Sequence, residues 1–291
     1  ALTHPPHLRA VVANMHPADF YFDQWFVGGV FRYENRISWC VSMLQRIEPL
    51  DPGDPSEPGY ERKLQVYRNR YHQYYQRITA GKNPVNLGWM AEMFQHRTYD
   101  DFWKKLSFVP RLKEVSVPVL HGGVLYDHFS RGTLSSHHGI DMPKRLFMSP
   151  GGLDVDGRAA EGGFAQLQVR WFDHFLKELD NGVLDEPGVR LYLTGEEQWV
   201  DESTWPVPAI ERPFFLGAGR GGGANSLNDG LLGLQPEGSS EPNVIMHSPA
   251  DPNETADSPA DQRSFEAGCL TYSTPPLDTD LKVIGIPHLR L

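Results

Sequence analysis

The chain has 291 residues, 40% of them hydrophobic and 22% charged, the profile of an ordinary soluble globular protein long enough for one large or two medium domains. Its 37 acidic residues outweigh 27 basic ones for a formal charge of −10, and the basic residues are dispersed, which argues against nucleic acid as a partner. No run of 18 apolar residues exists to form a membrane helix, so no membrane partner is expected.

In chain order, the opening Ala-Leu-Thr-His-Pro-Pro has neither an initiator Met nor a signal-peptide pattern, and reads as the start of a piece cut from something longer. Residues 8–15 read as a short buried strand. Residues 20–47 are rich in large apolar side chains with helical spacing in parts. A breaker segment follows over residues 51–59, with three prolines and two glycines. From Tyr60 to Ala80 the apolar positions Leu64, Tyr67, Tyr71, Tyr74 and Ile78 recur at helical spacing, which predicts an amphipathic helix with a tyrosine-lined face.

The most informative stretch is Val117-Pro-Val-Leu-His-Gly-Gly-Val-Leu-Tyr-Asp127-His-Phe129. Its apolar residues suit a strand covered on both faces, as in a parallel sheet. Gly122 and Gly123 are expected to turn the chain at the carboxyl end of that strand, where sites assemble in open α/β sheets, leaving Asp127 at the tip. A helix over residues 129–138, a strand over 145–148 and a helix presenting Phe164, Leu167, Trp171 and Phe175 on one face follow.

Beyond Asn181-Gly182 the pattern changes to short apolar segments at 189–193, 213–216, 244–246, 269–272 and 281–284, separated by Gly, Pro, Asn and Asp. Such spacing reads as an all-β sandwich or jelly roll. Cys40 and Cys269, far apart in apolar settings, favour two buried free thiols over a bridge.

The ordered set Trp103, Val117-Pro-Val-Leu-His-Gly-Gly with Tyr126-Asp127, Arg170-Trp-Phe-Asp-His-Phe-Leu-Lys177, Asp180-Asn-Gly182, Val189-Arg-Leu-Tyr-Leu-Thr-Gly195, Trp199, Trp205-Pro206 and Asp261-Gln-Arg263 resembles the cocaine-esterase-like (CocE/NonD) acyl hydrolases and their X-Pro dipeptidyl-peptidase relatives. The resemblance implies part of an α/β-hydrolase domain over residues 1–195, with a helical cap at about 20–110, and a truncated jelly-roll domain over 196–291. It implies a Ser-His-Asp mechanism on amide or ester bonds of a small-molecule or peptide substrate, with Asp127 as the triad acid. Trp25, Trp39 and Phe129 match positions where the cocaine-esterase branch places aromatics around the acyl pocket; plain core packing is the other reading of the same residues.

The departures are as specific as the match. No G-x-S-x-G nucleophile elbow occurs in the 291 residues. The family's histidine motif falls on Ser149-Pro-Gly-Gly-Leu153, which puts Leu153 where the imidazole belongs, and leucine accepts no proton. A complementing amino-terminal segment is the partner this pattern calls for; a non-catalytic ligand- or partner-binding protein is the alternative. His137-His138 is expected to be a solvent-facing pair rather than a substitute base, and His121 a strand histidine packed near the site. Gly217-Ala-Gly-Arg-Gly-Gly222 satisfies G-x-G-x-x-G but opens no apolar helix, and Asp154-Val-Asp-Gly157 lacks the later ligands of a calcium loop, so no cofactor and no metal are expected.

Overall fold

The computed structural model describes residues 1–32, 35–36, 39, 42–43, 54–80, 92–93, 95–151, 153, 163–217, 229–236 and 270–290. In chain order the described elements are β1 (Val11–Asn14), a π-helical turn (Tyr21–Trp25), β2 (Phe26–Val27), β3 (Val30–Phe31), α1 (Tyr60–Thr79), α2 (Asp101–Lys105), a 3-10 helix (Val109–Glu114), β4 (Val119–Val124), α3 (Ser130–Gly139), β5 (Lys144–Ser149), α4 (Phe164–Lys177), β6 (Val189–Leu193), β7 (Gln198–Glu202), β8 (Phe215–Gly217), β9 (Asp229–Gly233) and β10 (Thr271–Ser273). Two compact units divide the chain. One comprises residues 1–8, 14–117 and 128–142, and the other residues 9–13, 118–127 and 143–291.

The second unit is organised by a five-stranded sheet in the order β1-β4-β5-β6-β7. β4, β5 and β6 run parallel, and β7 returns antiparallel on β6. Every residue of β4 and five of the six in β5 are buried, as strands of a parallel sheet covered on both faces are. β1 is shorter and less covered than expected. It is half-buried, with Asn14 exposed, because it stands at the sheet's edge. α4 turns Phe164, Leu167 and Trp171 inward at helical spacing, where they join Ala10, Leu120, Phe147 and Val183 in one core. Full burial of a large apolar side chain stabilises the fold by about 1.5–3 kcal/mol, so each of these contacts is a substantial contribution to the unit.

An ionic clamp closes the same unit behind α4. Arg145 of β5, itself buried, donates to the carbonyls of Val183 (2.7 Å) and Pro187 (3.0 Å) and pairs with Glu186 at 2.6 Å. Arg170 of α4 reaches Glu186 from the other side at 2.5 Å; its Nη2 donates to the Asn181 carbonyl, and the Asn181 side-chain amide donates to the Arg170 carbonyl. Burial alone would raise the Glu186 pKa, but the two guanidinium groups outweigh it and hold the carboxyl below its ordinary value.

The β6–β7 hairpin crosses residue 195, so the main sheet runs on to Glu202. Beyond it, β8, β9 and β10 form a three-stranded sheet in the order β10-β9-β8, parallel between β9 and β10 and antiparallel between β8 and β9. Gly230 is required there, because a Cβ would lie 2.6 Å from the ring of Tyr272 on the paired strand. The strand expected over residues 281–284 does not form: the segment has no regular structure, and Leu281 and Val283 stay exposed. An apolar run alone does not make a strand without a neighbour for its backbone.

In the first unit, Tyr21, Trp25, Phe26 and Trp103 form an aromatic core, against which Phe20, Phe22, Phe31, Trp39, Met93, Phe102 and Leu106 pack. α1 matches the expected helix; Leu64 is half-buried, while the side chains of Tyr67, Tyr71, Tyr74 and Ile78 lie outside the described residues. α2 starts where the Asp100 carboxylate accepts the N–H groups of Phe102 (3.0 Å) and Trp103 (3.4 Å). The same carboxylate meets His96 Nδ1 at 2.5 Å, a contact that lowers its pKa. No described helix is long and apolar enough to cross a membrane. Cys40, Cys269, Asp154-Val-Asp-Gly157, residues 218–222, 244–246 and Asp261-Gln-Arg263 lie outside the described residues.

Candidate active site

Asp127 stands on a turn that leaves the carboxyl end of β4, a strand in the parallel part of the sheet. The glycines were expected to make that turn and do not: Gly122 and Gly123 lie within β4, fully buried, in register with Phe147 and Met148 of β5. The turn comes later, at residues 125–129. Glycine inside a strand can mark a bulge, a bend or a close approach as well as a chain reversal, so the pair alone does not locate the turn. The exit is tied down by the Leu125 N–H, which donates to the Ser149 carbonyl of β5 at 2.8 Å. Asp127 is half-buried two residues further on.

The segment that follows β5 is the one expected from the sequence to match the family's histidine loop. Leu153 there packs against the apolar core formed by Leu120, Phe147, Phe164 and Trp171. Its side chain faces aromatic and aliphatic carbon, an environment that favours leucine over a titrating imidazole. His121 is a fully buried strand histidine, as its position between apolar residues implies.

The remaining sequence-predicted residues lie in the other unit. Trp25, fully buried, lies 6.2 Å from the Phe31 ring in a stacked arrangement and 6.2 Å from Trp103. Trp39, half-buried, packs on the same aromatic cluster and receives the Arg36 guanidinium over its face at 5.8 Å. Phe129 is the residue before α3; its carbonyl accepts the Thr133 N–H, and its ring lies 3.9 Å from that of His128. The histidine pair on α3 is a correction. His138 is exposed as expected, but His137 is buried. Successive helical residues point about 100° apart, so one of two neighbours enters the packed face while the other stays in water.

Sequence reasoning missed a buried carboxylate pair in this unit. Asp23, inside the π-helical turn, accepts the N–H groups of Ala18 (2.9 Å) and Asp19 (2.8 Å) on one oxygen and Arg131 Nη1 of α3 (2.8 Å) on the other. Asp19 accepts the Phe22 N–H (3.0 Å) and the Tyr99 hydroxyl (3.1 Å). Burial raises the Asp23 pKa, against the pull of its backbone donors and of Arg131. The available signal was one acid set within Phe20-Tyr-Phe-Asp-Gln-Trp-Phe26: a charge inside an apolar run must find partners or stay out of the core. Among the described residues no group of three or more His, Cys, Asp or Glu side chains is placed to hold a metal ion.

Comparison with known proteins matches residues 1–152 to the X-Pro dipeptidyl-peptidase (S15 family) model. The chain belongs to that family. Residues 181–291 match the X-Pro dipeptidyl-peptidase C-terminal non-catalytic domain. Among curated relatives, the cocaine esterase of Rhodococcus sp. (strain MB1 Bresler) is 25% identical over 318 aligned positions, covering 98% of this chain and 55% of the esterase. The chain thus spans about half the length of that relative. Among solved structures, a CocE/NonD family hydrolase from Staphylococcus aureus superposes with a TM-score of 0.51 at 18% identity, covering 79% of this chain and 34% of that one. An α-amino acid ester hydrolase does so with a TM-score of 0.54 at 21% identity, covering 82% and 41%. These neighbours share the α/β-hydrolase fold, into which the β4–β5–β6 parallel sheet of this S15 family member fits.

Proposed function

We propose that this chain is the acid-bearing part of a serine hydrolase acting on esters, acyl amides or X-Pro peptides. Asp127 is the triad acid, and a complementing amino-terminal segment supplies the nucleophilic serine and the oxyanion-hole donors. The observation that carries the reading is the place of Asp127: a half-buried carboxylate just past the carboxyl end of a buried parallel strand, on a turn whose exit is pinned to β5 by the Leu125–Ser149 bond. There it would orient a histidine and stabilise the imidazolium formed as the serine attacks the substrate carbonyl. The C-terminal part contributes no catalytic group in this reading. Trp25, Trp39 and Phe129 line the acyl pocket.

The test restores the missing pieces. The chain is fused behind an amino-terminal segment carrying G-x-S-Y-x-G from a family relative, and p-nitrophenyl acetate hydrolysis is followed. With Leu153 in place only the residual catalysis of oxyanion hole and binding is expected; Leu153→His raises kcat at least about 10²-fold, the scale of general acid-base help. Asp127→Asn in that background removes most of the gain. An Asp127→Asn variant as active as its parent would sink the assignment.

A second reading, a non-catalytic ligand-binding protein, is favoured by one observation: Leu153 is integrated into the apolar core, as a site long without an imidazole would be. A fused protein that Leu153→His fails to activate, yet that binds the acyl acid, supports it.

A further inference from the structure

Asp23 lies two residues before Trp25 in one π-helical turn, and its partner Arg131 lies two residues after Phe129 at the start of α3. A single carboxylate therefore joins the two segments that carry aromatics of the acyl pocket. One Asp23 oxygen is fixed to its own segment by the N–H groups of Ala18 and Asp19, so only the other is available to reach across to the helix. The contact is close at backbone level too: a Cβ on Gly132 would stand 2.6 Å from the His16 carbonyl oxygen and 2.7 Å from the Ala18 nitrogen. The Arg131 guanidinium also lies over the Phe22 ring at 5.7 Å.

The pair is an expensive way to hold two surfaces together. The Asp23 side chain is 2% exposed while that of Arg131 is 64% exposed, so a buried carboxylate is matched with a cation still sharing its charge with water. Two apolar side chains of similar volume would bind these segments at lower cost. What an apolar contact does not supply is direction, because a charge-assisted N–H···O bond fixes register as well as proximity.

We propose that the Asp23–Arg131 pair is a positioning device that sets where Phe129 stands relative to the Trp25 turn, and through that spacing selects the acyl group the pocket accepts. The inference rests on the reading of Trp25, Trp39 and Phe129 as an acyl pocket. Asp23 and Arg131 act through those residues and touch no substrate themselves.

The experiment uses the 291-residue chain with Arg131→Met, Arg131→Lys and Asp23→Asn. Amide hydrogen exchange is measured over the first turn of α3, and the affinities for benzoate and for butyrate are measured by tryptophan fluorescence. Arg131 is largely exposed, so its substitution leaves the core intact; Asp23→Asn, which keeps the side chain's shape, repeats the test if Arg131→Met loses its near-ultraviolet circular dichroism. In Arg131→Met the first turn of α3 exchanges at least about tenfold faster while α4 is unchanged. The benzoate-to-butyrate affinity ratio moves at least about threefold toward unity, a loosened pocket surrendering part of its discrimination. Arg131→Lys, which keeps a donor but not the fork, falls between. Exchange and ratio both equal to those of the unaltered chain overturn the inference. Exchange that responds while the unaltered chain binds neither acid overturns the pocket reading instead, and the selectivity with it.

Discussion

Gly132→Ala isolates the backbone contact on which the start of α3 depends. The substitution gains helix propensity, worth about 0.8–1.0 kcal/mol in a helix interior. Against that gain, the new Cβ would lie 2.6 Å from His16 O, 2.7 Å from Ala18 N and 2.8 Å from Pro17 Cα, all backbone atoms. None of these can rotate aside, and the segment that carries them is held by the bonds of Ala18 and Asp19 to Asp23. Overpacking in a well-filled interior costs roughly 1–3 kcal/mol, and a clash with backbone belongs at the upper end of that range. The net expectation is a loss of about 2 kcal/mol, or roughly 4–8 °C in Tm for a chain of this size. Gly139→Ala on the same helix is the control: its Cβ would meet the side chain of Leu112 at 2.6 Å, which can shift, so its cost is smaller. Thermal unfolding followed by circular dichroism reads both. A Gly132→Ala protein as stable as the parent, or more stable than Gly139→Ala, would refute the claim that helix and loop meet backbone to backbone.

Acid destabilises the first unit through His16, whose burial lowers its pKa from 6.5 to about 4. Between those values the unfolded chain binds a proton that the folded one refuses, so stability is full above pH 6.5 and falls by up to about 3 kcal/mol as the pH approaches 4. Asp23, with its raised pKa, works in the opposite sense, its folded form binding a proton more readily than the unfolded chain. His16→Gln therefore flattens the fall in Tm over this window, and an unchanged profile contradicts the assignment. Glu186→Gln leaves Arg145 buried against two carbonyls with no counter-charge; removing one partner of a buried pair costs about 3–5 kcal/mol, discounted here because Glu186 is itself partly exposed, and urea unfolding should report a loss of about 2 kcal/mol. Under the proposed function, which assigns the nucleophile and oxyanion hole to a complementing segment, the 291-residue chain by itself should hydrolyse neither p-nitrophenyl acetate nor Gly-Pro-p-nitroanilide above a heat-killed control.

The elements that could be read from the sequence are those whose signal is local. α1 and α4 have apolar residues at helical spacing, β4 and β5 are short segments built around apolar residues, and the placement of Asp127 beyond β4 followed from them. Gly122 and Gly123 misled because a glycine pair looks the same whether it turns the chain or lets two strands approach. His137 misled because adjacent positions on α3 are told apart by what packs on the helix, which no local pattern states. The Asp23–Arg131 bond spans 108 residues of chain, and nothing near either residue names the other. The edge position of β1 is likewise a property of the whole sheet, which lowered its burial below what four consecutive residues suggest.

The β6–β7 hairpin bears on how such proteins can be reassembled over time. Leu146, Phe147 and Met148 of β5 pair with Val189, Arg190 and Leu191 of β6, so the stretch matched to the non-catalytic C-terminal domain is stitched by its own backbone into the sheet that carries Asp127. Gene recombination that cut the chain between residues 152 and 181 would strip two strands from that sheet and bare the edge of β5. A donor domain could replace the lost one only if its first strand offered the same direction, register and apolar face. The pairing of β5 with β6 ties the two regions mechanically, and shuffled chimaeras split at this junction should fail to fold unless the crossover is moved past Glu202.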